Sequence, residues 1–204
     1  MTELRQDCFQ NMERFMLIGL SKEHNEVILL NKEKNIFIIT GPCGVGKSTI
    51  SHNLAQTLDK SSHINADLIY EMVVGGYVFP WQDDGNLTEL LWSNVSALAF
   101  NYIGNNFDVV IDYIVFPEQL KYLEKLRCEY NIVLKYVVLM ANEDTIRIRD
   151  GKRAPEEIMG DRAIEVLNEF KDKEIDSKYI LDTSDKSIED IVLEIKRAKR
   201  FIVE

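Results

Sequence analysis

Asn35-Ile-Phe-Ile-Ile-Thr-Gly-Pro-Cys-Gly-Val-Gly-Lys-Ser-Thr-Ile50 sets a short apolar run against a glycine-rich turn and then a helix start. Ile36 to Thr40 reads as a buried β-strand. The glycines at 41, 44 and 46 let successive backbone N–H groups curl around an anion, and the helix that follows turns its positive end the same way. Gly41, Pro42, Cys43, Gly44, Val45, Gly46, Lys47, Ser48 and Thr49 are therefore the candidate phosphate cradle. In such a P-loop the lysine reaches the β- and γ-phosphates, and the serine offers its hydroxyl to Mg²⁺.

Working outward, the chain downstream alternates short apolar runs with longer amphipathic segments, the pattern of β-α-β units and a parallel sheet. Strands are expected at Ile36 to Thr40, His63 to Asn65, Val109 to Asp112, Ile132 to Leu139 and Tyr179 to Leu181. Leu87, Leu90, Leu91, Val95, Leu98 and Ala99 recur at helical spacing and predict a long helix from Leu87 to Tyr102, stopped by Gly104-Asn-Asn. Gly75 to Gly85 is rich in turn formers and aromatics and is too long for a plain connector, so a functional loop is expected there. Upstream, Leu4, Cys8, Met12 and Phe15 predict an amphipathic helix, and residues 1–34 form a helical appendage to a domain spanning 35–204. Val27 to Leu30 reads equally as a strand or as a helix end.

With 204 residues, 46% hydrophobic and 28% charged, the chain has the length for one α/β domain and no apolar run long enough for a membrane helix. No signal-peptide pattern opens it, so the cytoplasm is the default expectation. Its three cysteines are far apart and give neither a disulfide framework nor a zinc spacing. A net charge of −10 opposes general affinity for phosphate backbones, so nucleic acid is not an expected partner.

Among P-loop classes, the guanine-reading Asn-Lys-x-Asp is absent: the only Asn-Lys begins Asn31-Lys-Glu-Lys34, ahead of the P-loop. There is no Asp-x-x-Gly switch and no Leu-Ser-Gly-Gly signature, and the chain is short for a mechanochemical ATPase. Ile38-Ile-Thr-Gly-Pro-Cys-Gly-Val-Gly-Lys-Ser-Thr, His63-Ile-Asn-Ala-Asp, Val109-Val-Ile-Asp, Arg149-Asp-Gly-Lys-Arg153 and Ile180-Leu-Asp-Thr-Ser184 occur in that order. From Ile36 to about Glu194 the chain resembles the P-loop kinases of the shikimate, gluconate and nucleoside monophosphate kinase superfamily, near the chloramphenicol phosphotransferase-like members. The resemblance implies a five-stranded parallel sheet in the order 2-3-1-4-5 with helices on both faces. It also implies a substrate-covering segment after the second strand, and a mobile lid near residues 145–165.

Asp67 lies 20 positions after Lys47 and follows the second strand, which puts it at the carboxyl edge of a doubly wound sheet. In similar kinases an acid there takes the acceptor's proton or holds Mg²⁺ through water. The same aspartate is also a favoured N-cap for a helix starting at Leu68. Asp112 ends an apolar run in the manner of a Walker B strand and is the second candidate near Mg²⁺.

Arg147, Arg149, Lys152, Arg153 and Arg162 crowd into 16 positions of an acidic chain. By resemblance Arg149 stacks on the base, Arg153 and Arg162 meet the transferring phosphate, and Asp182, Thr183 and Ser184 pass the adenine edge. The alternative is a solvated face paired with Asp144, Asp150, Glu156 and Asp161, and Arg147 is assigned to it. Trp81, Asp83, Asp84, Trp92 and Asn94 are candidates to line the acceptor pocket, with both tryptophans equally suited to packing. The function expected is transfer of the ATP γ-phosphate to a small molecule. Nucleotide kinases and an ATP-binding regulatory module are the alternatives.

Overall fold

The computed structural model describes residues 33–204, so the expected N-terminal helix and the Val27 to Leu30 ambiguity lie outside the described residues. Strand β1 (Lys34–Thr40) has four consecutive isoleucine and phenylalanine side chains, Ile36 to Ile39, with almost no exposure. Such a run suits a strand covered on both faces, and that is where β1 lies. It pairs in parallel with β3 (Asp108–Asp112) on one side and β4 (Ile132–Met140) on the other. Strand β2 (Ser61–Asn65) flanks β3, and β5 (Ile180–Asp182) flanks β4. The order is β2-β3-β1-β4-β5, all parallel, as the resemblance implied.

All five expected strands form, with shifted ends. Residues Ser177–Tyr179 make a single 3₁₀ turn capped by the Asp176 side chain, so β5 begins only at Ile180. β4 carries Lys135 in an otherwise apolar run. Its buried ammonium donates to the carbonyls of Ile195 and Lys196 in the last turn of the helix that packs below it, where unpaired carbonyls favour a cation. Burial lowers its pKa.

Helices cover both faces. α1 (Lys47–Gln56) follows the glycine turn, and α2 (Ala66–Tyr70) follows β2. α3 (Asn86–Gly104) is the predicted long helix, longer than expected at both ends; α4 (Lys121–Glu129) precedes β4. α5 (Glu143–Asp150) and α6 (Asp161–Asp172) precede β5, and α7 (Ile188–Arg197) closes the domain. On one face Phe37, Ile39, Val110 and Leu139 pack with Leu54 of α1 and Ile191 and Ile195 of α7. Each such side chain, fully buried, contributes about 1.5–3 kcal/mol. Because every strand runs the same way, Thr40, Asn65, Asp112, Met140 and Asp182 all end at one edge. The loops leaving β1 and β3 there open the crevice in which α/β sheets bind ligands. Val115 donates to Thr40 Oγ1 at 2.7 Å and accepts from Tyr136 at 2.8 Å, which pins the segment after β3 to that edge. Among the described residues no helix is long and apolar enough to cross a membrane.

Candidate active site

The glycine turn closes directly onto the sheet. Gly41 has φ 138°, and a Cβ on it would lie 2.1 Å from the carbonyl oxygen of Leu139 in β4. Gly46, at φ 102°, is the N-cap of α1 and brings no capping side chain, so the first N–H groups of that helix are left for a ligand. Val45 is buried and anchors the turn, whereas Ser48 and Thr49 are exposed on the first helical turn. Lys47 curls back over its own loop, donating to Gly41 O at 2.9 Å and Pro42 O at 3.1 Å. Desolvation lowers its pKa and outweighs Cys43, Asp67 and Asp112, all of which act to raise it; Arg153 adds to the lowering. Lys47, Asp67, Asp112 and Arg153 therefore share one electrostatic neighbourhood.

Asp112 is completely buried at the end of β3. Its Oδ1 faces Ser48 Oγ at 3.5 Å, and its Oδ2 lies 2.5 Å from His63 Nε2 of the neighbouring strand. His63 stands within one of the sequence runs quoted above, but its pairing with Asp112 comes only from the parallel register. Asp67 sits in the first turn of α2, and the helix cap is Asn65, whose side chain accepts from Leu68 N at 3.3 Å. The helix starts at Ala66 rather than Leu68, so the capping alternative for Asp67 fails. Asp67 stays open to solvent at the cleft mouth, yet crowding on its inner side raises its carboxyl pKa. Desolvation leads; Lys47 opposes it, and Asp112 adds to it.

The oxygens of Ser48 and Asp112 form a hard donor pair of the kind Mg²⁺ prefers. Among the described residues no group of three or more His, Cys, Asp or Glu could cage a metal.

Arg149 bridges two loops, donating to Val45 O and Thr183 Oγ1 at 3.1 Å and to Thr183 O at 3.0 Å. Thr183 is buried and donates to Met140 O, while Asp182 accepts from both the N–H and the hydroxyl of Ser184. These three residues thus continue β5 beside the cradle. Asp150, which sequence alone placed among surface acids, is buried and accepts from the amides of Met159 and Gly160, closing residues 151–160 into a loop. Arg153 sits inside that loop, donating to Glu157 O at 2.9 Å. Arg162 pairs with Glu165 and Glu169, and Arg147 with Glu143 and Asp161.

The acceptor candidates separate. Trp81 is 54% exposed and stacks on Phe79, with ring centroids 4.8 Å apart. Phe79 meets Tyr77 edge-on, and Tyr77 meets Tyr70, so an aromatic row runs along residues 70–81. Trp92 is corrected: it is fully buried, parallel to Tyr122 at 5.6 Å and edge-on to Tyr113, with no surface for a ligand. Asp83 accepts from Leu87 N, Thr88 N and Thr88 Oγ1, and Asp84 from Asn86; both organise the start of α3. Asn94 is exposed on α3. Tyr113, not foreseen from sequence, is buried beside this region. Its pKa is raised by burial and then by the charges of Asp67, Tyr70, Tyr77 and Asp83.

Solved structures share this fold. A tunicamycin resistance protein of Deinococcus radiodurans is 15% identical with a TM-score of 0.57, over 80% of this chain and 94% of that one. A sugar kinase of Janibacter sp. HTCC2649 is 14% identical with a TM-score of 0.56, covering 80% and 92%. A gluconokinase of Sinorhizobium meliloti 1021 is 17% identical with a TM-score of 0.53, covering 80% and 90%. No protein of curated function matches the sequence. The family model described as AAA domain matches residues 36–173. With its glycine cradle, its 2-3-1-4-5 sheet and that match, the chain belongs to the AAA domain family and has the fold of the P-loop small-molecule kinases.

Proposed function

We propose that the protein is a kinase that moves the γ-phosphate of Mg·ATP to a hydroxyl of a small molecule. The observation that carries this reading is the glycine cradle with Lys47 folded over it and Asp112 facing Ser48, while the solvent-facing Asp67 lies within electrostatic range of Lys47. A passive nucleotide binder needs the lysine and the cradle, but it has no use for a second, solvent-facing carboxylate beside them.

Lys47 exchanges its contacts with Gly41 and Pro42 carbonyls for phosphate oxygens when ATP enters, so its charge faces the group in flight. Ser48 and Asp112 would hold Mg²⁺, which would supply positive charge to offset that of the phosphates during transfer. The acceptor oxygen attacks the γ-phosphorus as the bond to the bridging oxygen breaks, ADP leaves, and the hydroxyl proton passes to Asp67. A carboxyl whose pKa is raised is the better proton acceptor, because its driving force for the transfer is larger. Arg153, on the loop tied by Asp150, lies within electrostatic range of Lys47 and Asp67 and is the cation that closes over the reacting phosphate.

The acceptor is neutral or cationic. No lysine or arginine occurs between Asp67 and Asp112, so a clamp for an acceptor phosphate is missing from the segment that covers it. A nucleotide acceptor is correspondingly disfavoured. A metabolite-library screen for acceptor-dependent ADP release, with Asp67→Asn as control, tests the reading. ADP release that no acceptor accelerates would favour an ATP-hydrolysing regulatory module.

A further inference from the structure

We infer that His63 is a positioning residue for the metal site: it holds the Asp112 carboxylate so that one oxygen stays turned toward Ser48. The inference rests on the metal role proposed above for Asp112 and Ser48.

Asp112 has no exposed surface, and a buried ionised carboxylate persists only if its oxygens are bonded. The two oxygens divide their partners. Oδ2 belongs to His63 Nε2 at 2.5 Å, while Oδ1 looks at Ser48 Oγ from 3.5 Å, too far for a strong O–H···O bond. A carboxylate in the metal-holding role proposed for Asp112 only accepts, and the Nε2–H tautomer of His63 is the one that supplies its donor.

The geometry arises from the sheet. His63 pairs in register with Val110, and Asp112 with Asn65, so the imidazole is the diagonal neighbour of the carboxylate. Val110 belongs to the core beneath α1, and the His63 ring lies 6.2 Å from the ring of His52 in α1. His63 and Asp112 thus meet on the same face as Ser48, which opens that helix. With Oδ2 fixed, the carboxylate cannot swing about its own axis, and Oδ1 keeps its aim at the position a cation shares with the serine hydroxyl. Partners that hold a ligating group from behind are often as important as the ligand itself.

Binding of Mn²⁺, in place of Mg²⁺, to the full chain saturated with a non-hydrolysable ATP analogue is measured by electron paramagnetic resonance. Nucleotide affinity in EDTA is measured in parallel. His63→Ala should raise the Mn²⁺ dissociation constant about ten-fold or more while leaving metal-free nucleotide affinity within about two-fold. His63→Gln, whose amide N–H can reach the same oxygen, should recover part of the loss. Wild-type Mn²⁺ affinity in His63→Ala, with Asp112→Asn weakened, would overturn the role of His63 alone. Wild-type affinity in both variants would remove the metal role of Asp112, and the inference with it. Equal loss of metal-free nucleotide and Mn²⁺ binding in His63→Ala, not restored by glutamine, would make His63 a packing residue and overturn the inference as well.

Discussion

The guanidinium of Arg162 lies over the indole ring of Trp81, 5.8 Å from its centroid. One group belongs to α6, beyond the loop closed by Asp150, and the other to the aromatic row that follows α2. The segments expected to cover the nucleotide and the acceptor are thus in direct contact. Trp81 is half-exposed and Trp92 is fully buried, so a fluorescence change on ligand binding should come from Trp81. Adding Mg and a non-hydrolysable ATP analogue should change the emission, and Trp81→Phe should remove that change. An equal response in the phenylalanine variant would mean that the contact does not move.

Lys47→Ala should preserve the fold, because the hydrogen bonds its ammonium makes go to carbonyls of its own loop and not to the strands. It deletes a charged partner for phosphate worth about 1.5–3 kcal/mol, a loss of about ten- to hundred-fold in Mg·ATP affinity. Calorimetry on a folded variant that bound ATP as tightly as the wild type and still turned over would remove the central reading of the cradle.

Asp67→Asn should leave ATP affinity within a few-fold and reduce acceptor turnover by about 10² or more, the scale of a positioned base. The same group sets two pH dependences. As the proposed base Asp67 acts in its ionised form, so the acid limb of kcat/KM should fall above the ordinary aspartate value of 3.8. Stability has the opposite sign. The folded protein holds this proton more tightly than the unfolded chain, so its contribution is complete below 3.8 and is lost as pH rises through the folded value. Thermal unfolding of the nucleotide-free asparagine variant should therefore gain on the wild type as pH increases from acid to neutral. A constant difference across that range would contradict the raised pKa.

Asp150→Ala leaves the amides of Met159 and Gly160 without their acceptor. Hydrogen bonds to a charged acceptor contribute about 1.5–3 kcal/mol, so exchange at those amides should quicken about ten-fold or more. In the wild type, exchange across residues 151–160 should slow when Mg and the ATP analogue bind, and Arg153→Ala should lower kcat more than nucleotide affinity. Exchange that is already slow without ligand, together with a silent Arg153→Ala, would reduce these residues to a fixed surface.

What the sequence made legible was local. The strand, turn and helix around Lys47 are contiguous, and each residue type there is demanded by its own backbone position. Trp92 was ambiguous because α3 buries more than one stripe: Leu91 and Trp92 are adjacent, yet both are in the core. Asp150 looked like a solvated partner for arginines, and its burial follows from backbone amides nine and ten residues on that need an acceptor. His63 and Asp112 are 49 positions apart, and only the register of two parallel strands brings them together. Periodicity carries no information about that register. The strand order itself came from resemblance, since the apolar runs alone allow several.

Gly41 gives the cradle an unusual kind of fragility. Its missing side chain is occupied by a carbonyl of β4, so any larger residue must push β4 off the strand that carries the loop. Gly46 has open space around it, and a side chain there meets only the left-handed backbone cost of about 1–2 kcal/mol. In a library of variants, substitutions at Gly41 should vanish from the pool of folded protein, while those at Gly46 should persist there and be lost only when nucleotide binding is selected. Two glycines of one motif would then be preserved by inheritance for separate reasons, one as a keystone of the sheet and the other as a mouth for the anion.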